Sequence, residues 1–193
     1  MCKFGSKILV MFCAALPVLL TTSCAPSLAG RVKEFQKAAN SGDVEKTMSF
    51  YANDVRFEVV GTPMVIEGKE KLRKAIEEQF ILNVHFTFTD IKADGNTVTY
   101  KVKEQSDWLK AAGVDALYYE YDQIIFEDGL IKKETAKPTQ KSAEIMGEFR
   151  KTFDKWASEN RGQEWAKLKS EGITKENVGE WLAMIRQWKE SKK

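Results

Sequence analysis

The sequence is poor in the two side chains that most often carry catalysis, cysteine and histidine. It contains three cysteines and one histidine in 193 residues. Two of the cysteines, Cys2 and Cys13, lie in an N-terminal segment with the pattern of a leader, which leaves Cys24 alone in a processed chain. A single thiol forms no intramolecular disulfide, and zinc sites need several cysteine or histidine ligands. We therefore expect no metal and no cofactor, and we expect His85 to be structural.

The sequence also lacks an excess of charge of either sign. Lysine and arginine total 30 against 28 acidic residues. Without Lys3 and Lys7 of the leader, the two counts are equal. A nucleic-acid-binding protein needs a basic face, so we expect no nucleic-acid partner. The hydrophobic fraction of 43% is ordinary for one globular domain.

The N-terminus has the three parts of a secretory signal: two lysines, an apolar run over residues 8–20, and a small, polar stretch over residues 21–30. The apolar run is shorter than the roughly 20 residues that span a bilayer, which disfavours an uncleaved membrane anchor. Thr21-Thr22-Ser23-Cys24 resembles a bacterial lipobox, although the family usually has leucine where Thr21 stands.

The lipobox predicts a signal peptide over residues 1–23, lipidation of Cys24, and a tether over residues 24–30. Such a lipoprotein would be membrane-anchored in the cell envelope and would face away from the cytoplasm. The alternative is cleavage after Ala29, which would give a secreted or periplasmic protein.

Hydrophobic spacing predicts three helices followed by a series of strands. Asp43 is the expected N-cap of the second helix, which would reach Tyr51, and the third helix is expected over residues 69–81. Alternating apolar residues predict strands at 55–60, 84–92, 97–105, 116–127 and 130–137. The prediction is an α+β domain over residues 31–138, in which a curved, mostly antiparallel sheet wraps around the helices.

The last part of the chain, residues 139–193, has a different pattern. It holds four of the five tryptophans, at helical spacing and between charged residues. This pattern predicts a helical C-terminal extension, broken near Gly162 and Gly172, that packs on the domain or on a second copy.

Four sequence stretches, in this order, resemble the nuclear transport factor 2-like superfamily and most closely its SnoaL-like branch. They are Asn40–Asp43, Phe50–Val55, Ile66–Leu72 and Asp122–Ile131. The resemblance implies a cone-shaped domain with a pocket at its open end. Because many members dimerise through the sheet, it also implies a homodimer.

The superfamily includes ketosteroid isomerases, polyketide cyclases, dehydratases, epoxide hydrolases and proteins that only bind, so its fold does not fix a function. By this resemblance, Phe35 occupies the isomerase tyrosine position and Val59 the position of the base. Neither side chain can do that chemistry. Only Asp122 is retained, and no arginine or second aspartate is matched to it. We therefore expect Asp122 to be a lone carboxylate and predict no catalytic residue.

Asp122 lies in the middle of an apolar strand. Alternation places it on one face with Glu120, Ile124 and Phe126, and it places Tyr119 on the other face. Burial would raise the pKa of Asp122. Its role would be a ligand anchor or a hydrogen-bonded structural group. The ligand-pocket candidates are Asp122, Ile124, Phe126, Tyr51, Trp108, Tyr118 and Glu104.

The sequence supports three hypotheses for function. The first is a non-catalytic, cell-envelope binding module for a small hydrophobic ligand or a protein partner. The second is an enzyme, a hydrolase, dehydratase or isomerase of a hydrophobic small molecule, that uses Asp122. The third is a structural dimer whose C-terminal helices plug the pocket.

Overall fold

A computed structural model describes residues 27–193; the predicted signal peptide and Cys24 lie outside that range. The elements follow the predicted order. They are α1 (Leu28–Ala39), α2 (Val44–Met48), β1 (Tyr51–Val59), β2 (Val65–Glu67), α3 (Lys69–Ile81), β3 (His85–Asp94), β4 (Thr97–Gln105), α4 (Asp107–Ala111), β5 (Leu117–Glu127), β6 (Leu130–Pro138), α5 (Gln140–Glu171) and α6 (Val178–Glu190).

The six strands form one sheet in the order β2-β1-β6-β5-β4-β3. Strands β1 and β6 run parallel, whereas the other neighbouring strands are antiparallel. The first three helices supply buried side chains, among them Val32, Met48 and Leu72, to one core cluster with strand residues such as Ile124. The predicted α+β class and the curved sheet packed on helices are confirmed.

A local sequence signal explains the start of α2, and tertiary packing explains its end. Asp43 caps its start, because the side-chain Oδ1 accepts from the backbone N of Lys46 at 2.9 Å. The helix nevertheless ends at Met48, and Tyr51 begins β1 instead of closing the helix. The extended backbone lets the Tyr51 ring pack edge-on against Phe35 at 5.5 Å, so tertiary packing overrides the helical spacing.

Two strands carry bulges next to the centre of the sheet. On β5, three steps along the strand (Asp122 to Tyr119) face only two steps of β4 (Tyr100 to Val102), which leaves one extra residue near Glu120. On β6, the register shifts between Ile131 and the residues that follow it. A bulge reverses the in–out alternation beyond it, and both bulges act on the functional site described below.

The C-terminal helices build a second apolar cluster against α4. The rings of Phe149, Phe153, Trp165 and Trp188 contact one another at centroid distances of 4.9–5.8 Å. Helix α5 breaks at Arg161, next to the predicted Gly162, and it ends at Gly172, whose φ is +71°. The extension therefore packs on the domain of its own chain.

The outer sheet face carries charged pairs. Glu58 binds Lys133 at 2.8 Å, and Glu120 binds Lys137 at 2.6 Å. The homodimer through the sheet stays a prediction. Within residues 27–193, no helix is both long and apolar enough to cross a membrane.

Candidate functional site

A small cavity of about 90 Å³ opens between the first three helices and the inner face of the sheet. Most of its lining is apolar and much of that is aromatic, with the carboxyl groups of Asp122 and Glu104 among the few polar groups. The lining residues are Phe35, Ala39, Thr47, Tyr51, Phe57, Ile76, Gln79, Phe80, Phe86, Phe88, Val102, Glu104, Tyr119, Asp122 and Ala136. No lining residue comes from the C-terminal helices, so these helices do not plug the cavity.

Asp122 lies at the centre of β5, opposite Tyr100 of β4 and Ala136 of β6. It is 7% exposed. Its Oδ1 atom and the hydroxyl of Tyr100 are buried and have no hydrogen-bond partner among residues 27–193. Buried polar groups are normally paired. Of these two residues only Asp122 lines the cavity, so its carboxyl group marks a place where a ligand or water can bind.

Asp122 is not a lone carboxylate, and that prediction is wrong. Glu134 of β6, 6% exposed, shares a hydrogen bond with the Asp122 carboxyl group. The hydroxyl of Tyr51 donates to Glu134 Oε2 at 2.8 Å. Asp122 lines the cavity, whereas Glu134 is not among the lining residues.

Burial dominates the titration of this pair. It raises the pKa of Asp122 well above its usual value, and the neighbouring Glu134 raises it further. Burial also raises the pKa of Glu134 to about 7, although the hydrogen bonds from Tyr51 and Asp122 lower it. Two adjacent carboxyl groups in an apolar site share a proton. The pair therefore retains a shared proton near neutral pH.

Regular strand alternation could not have predicted that the side chain of Glu134 points to the inner face of the sheet. With regular alternation, the buried Ile131 and Glu134 would lie on opposite faces, because an odd number of positions separates them. The β6 bulge turns both inward. The only available signal was an acidic residue in an otherwise half-buried strand, and that signal does not distinguish the two faces.

A second carboxyl group reaches the cavity from β4. The hydroxyl of Tyr119 donates to Glu104 Oε2 at 2.7 Å, and burial raises the pKa of Glu104. The prediction that Tyr119 faces away from Asp122 is wrong, because the β5 bulge near Glu120 reverses the alternation and brings both side chains to the cavity.

The remaining sequence candidates divide into three groups. Ile124 and Phe126 are buried in the core beside Asp122 without lining the cavity. Trp108 lines a different hollow of about 530 Å³ between α4 and the C-terminal helices. Tyr118 is 49% exposed and belongs to neither. Their residue types alone could not separate these environments.

The two positions matched to isomerase catalytic groups are apolar in the fold as well. Phe35 lines the cavity, and Val59 is buried in β1 without reaching it. His85 is exposed at the start of β3. Residues 27–193 contain no cluster of three or more potential ligands that could hold a metal ion.

The sequence matches the model of the SnoaL-like domain over residues 32–134, more than half of the chain. The chain belongs to the SnoaL-like family. That range ends at Glu134, so the SnoaL-like domain contains all the carboxyl groups of the cavity. No curated protein matches the sequence.

Solved structures share the fold of this SnoaL-like domain. A nuclear transport factor 2-like protein of unknown function from Cytophaga hutchinsonii is 13% identical, with a TM-score of 0.51 over 63% of this chain and 98% of that chain. An LEH-like epoxide hydrolase from M. tuberculosis is 18% identical, with a TM-score of 0.50 over 61% and 86%. The epoxide hydrolase/cyclase-like enzyme SalBIII is 18% identical, with a TM-score of 0.51 over 57% and 89%. At these identities the likeness shows the fold alone.

Proposed function

We propose that this protein is a non-catalytic binding module that holds a small, largely apolar ligand in the cone of its SnoaL-like domain. The observation that carries the proposal is the carboxyl group of Asp122, which lines an apolar cavity and whose Oδ1 atom has no hydrogen-bond partner among residues 27–193. A ligand group that pairs with this carboxyl group offsets the cost of leaving a buried acceptor unpaired, about 1–3 kcal/mol.

The volume restricts the ligand. Sites for drug-sized molecules usually measure roughly 300–1,000 Å³, several times the about 90 Å³ found here. Rings such as Phe35, Phe86 and Phe88 occupy space that a wider cone would leave open. The ligand is therefore expected to have few heavy atoms, with one polar group directed at Asp122.

Native mass spectrometry of the protein purified from its own cells tests the proposal. We expect a co-purifying small molecule on the wild type that is lost in Ala136→Ile, because Ala136 lines the cavity and a larger side chain fills it. Val60→Ile is the matched control, since Val60 is 40% exposed. Equal occupancy in the two variants would place the ligand elsewhere.

A second candidate function is catalysis by proton transfer, as in a hydrolase, dehydratase or isomerase of a small hydrophobic molecule. The Asp122–Glu134 pair favours it, because a carboxyl group with a pKa of about 7 is suited to acid–base chemistry near neutral pH. A substrate would meet Asp122, the member of the pair that lines the cavity. Hydrolysis of 1,2-epoxybutane to the diol that disappears in Asp122→Asn would favour this candidate over pure binding.

We also propose that the domain is anchored in the cell envelope through an acylated Cys24. Cleavage after Ala29 would remove Ser27, whose side chain accepts from the backbone N of Gly30 and caps α1. It would also remove Leu28 and Ala29 from the helix itself. Processing at Cys24 leaves α1 complete, which supports the lipoprotein alternative.

A further inference from the structure

We propose that the cavity selects a cation: its ligand is a small aliphatic amine, bound as the ammonium ion. The proposal rests on the binding function stated above and adds the charge of the ligand. Three features of the cavity carry it, namely the balance of charged groups, the aromatic lining and the position of the unpaired carboxyl oxygen.

The first feature is a one-sided set of ionisable groups. Asp122 and Glu104 line the cavity, and Glu134 neighbours Asp122. No lysine, arginine or histidine is among the lining residues of this part of the chain. The nearby hydroxyls of Tyr51 and Tyr119 already donate to carboxyl groups. A ligand is therefore the available source of positive charge.

The second feature is the aromatic lining. The cavity is surrounded by two tyrosine rings and by the rings of Phe35, Phe57, Phe80, Phe86 and Phe88. Aromatic faces carry negative charge density and attract an organic cation. The same rings bury the alkyl part of an amine, so both halves of the ligand find suitable surroundings.

The third feature is a hydrogen-bond acceptor on Asp122, a residue that lines the cavity. Asp122 Oδ1 is buried without a donor among the described residues, and an ammonium group carries donors only. Hydrogen bonds that involve a charged group contribute more to binding than hydrogen bonds between neutral groups. A carboxylate ligand would instead meet three acidic side chains without a counter-ion.

Because the ligand is positively charged, its binding should release protons from the acidic groups of the cavity, and this release can be measured. An ammonium ion beside Asp122 favours the ionised forms of Asp122, Glu134 and Glu104. The hydroxyls of Tyr51, Tyr100 and Tyr119 stay neutral, because burial raises their pKa values. The acidic groups then lose part of a proton to the buffer for each amine bound, and the amine N–H groups replace it as donors.

Isothermal titration calorimetry with three probes of one carbon skeleton tests the proposal: isobutylamine, isobutanol and isobutyrate at pH 7. We expect isobutylamine to bind about tenfold more tightly than isobutanol, equivalent to about 1.4 kcal/mol, and isobutyrate to bind least. The heat for the amine should differ between phosphate and Tris buffers, because protons are released, whereas the heat for the alcohol should not.

Asp122→Asn should reduce the preference for the amine over the alcohol to about twofold or less. Glu120→Gln, which removes an exposed carboxylate of the same strand that pairs with Lys137, should leave it unchanged. An alcohol or carboxylate that binds as tightly as the amine to the wild type overturns the cation proposal and leaves the binding function standing. If none of the three probes binds, the cation proposal fails, whereas the binding function is decided separately by the co-purifying ligand in native mass spectrometry.

Discussion

At the scale of single residues, the site depends on carboxyl groups that the fold keeps in an apolar environment. Asp122 and Glu134 are each less than 10% exposed, and no cation among the described residues compensates them. Burying a charge without a partner is costly, so the pair holds a proton near neutral pH. The cost of ionising the pair should therefore appear in the stability of the whole domain.

The free energy of unfolding is expected to fall as the pH rises from 5 to 8. The pKa of Glu134 is raised from 4.5 to about 7 in the folded chain, so the folded state binds more protons than the unfolded state in this window. Its stabilising contribution is complete below about 4.5 and is lost as the pH passes 7. The expected decrease from this group is roughly 2–3 kcal/mol, measured by urea denaturation.

The double variant Asp122→Asn, Glu134→Gln is expected to lose most of this pH dependence and to keep only the part due to Glu104, whose pKa burial also raises. Glu120→Gln should behave like the wild type. Surface carboxylates such as Asp90, whose pKa an ion pair lowers, act only at more acidic pH. If the double variant and the wild type had equal slopes, the buried pair would not be the cause.

At the scale of secondary structure, the sequence predicted which elements form but not which way every side chain points. Helix α3 and the main strands lie within a few residues of their predicted positions, because period and turn residues are local signals. The inward turn of Glu134 and Tyr119 depends on bulges, which arise from the pairing of distant strands. Asp122 was predictable because regular alternation holds from it to Phe126.

The C-terminal helices form a separate packing unit, and this has a consequence for mutation. Trp188 is 5% exposed and packs edge-on against Phe149 and Phe153. Trp188→Ala is expected to destabilise the protein by about 3–5 kcal/mol, since a large cavity replaces the indole. Urea denaturation measures the loss. Tyr118→Ala, at a side chain that is 49% exposed, should change stability by about 0.5 kcal/mol or less.

Trp188→Ala also tests whether the C-terminal helices affect ligand binding in the cavity of the cone. Because no C-terminal residue lines the cavity of the cone, Trp188→Ala should leave the affinity for isobutylamine within about twofold of the wild type under conditions where the variant stays folded. A large loss of affinity in a folded Trp188→Ala variant would mean that the extension shapes the binding site.

At the scale of the whole molecule, the position of the first helix limits how the chain can be attached to a membrane. The cap residue Ser27 lies three positions after Cys24, and a chain of three residues spans at most about 10 Å. An acyl group on Cys24 would therefore hold α1 close to the membrane surface. Each buried methylene contributes about 0.8 kcal/mol to such an anchor.

Metabolic labelling with a fatty acid is expected to mark the wild type and to fail in Cys24→Ala. Cys13→Ala is the matched control, since it removes a leader cysteine and keeps the lipobox. The mature wild-type chain should begin at Cys24, as read by intact mass, with α1 and its Ser27 cap retained. A mature chain that begins at Gly30 would contradict the anchor. It would also lack the cap and the first two residues of α1, with an expected loss of about 1 kcal/mol for the cap alone.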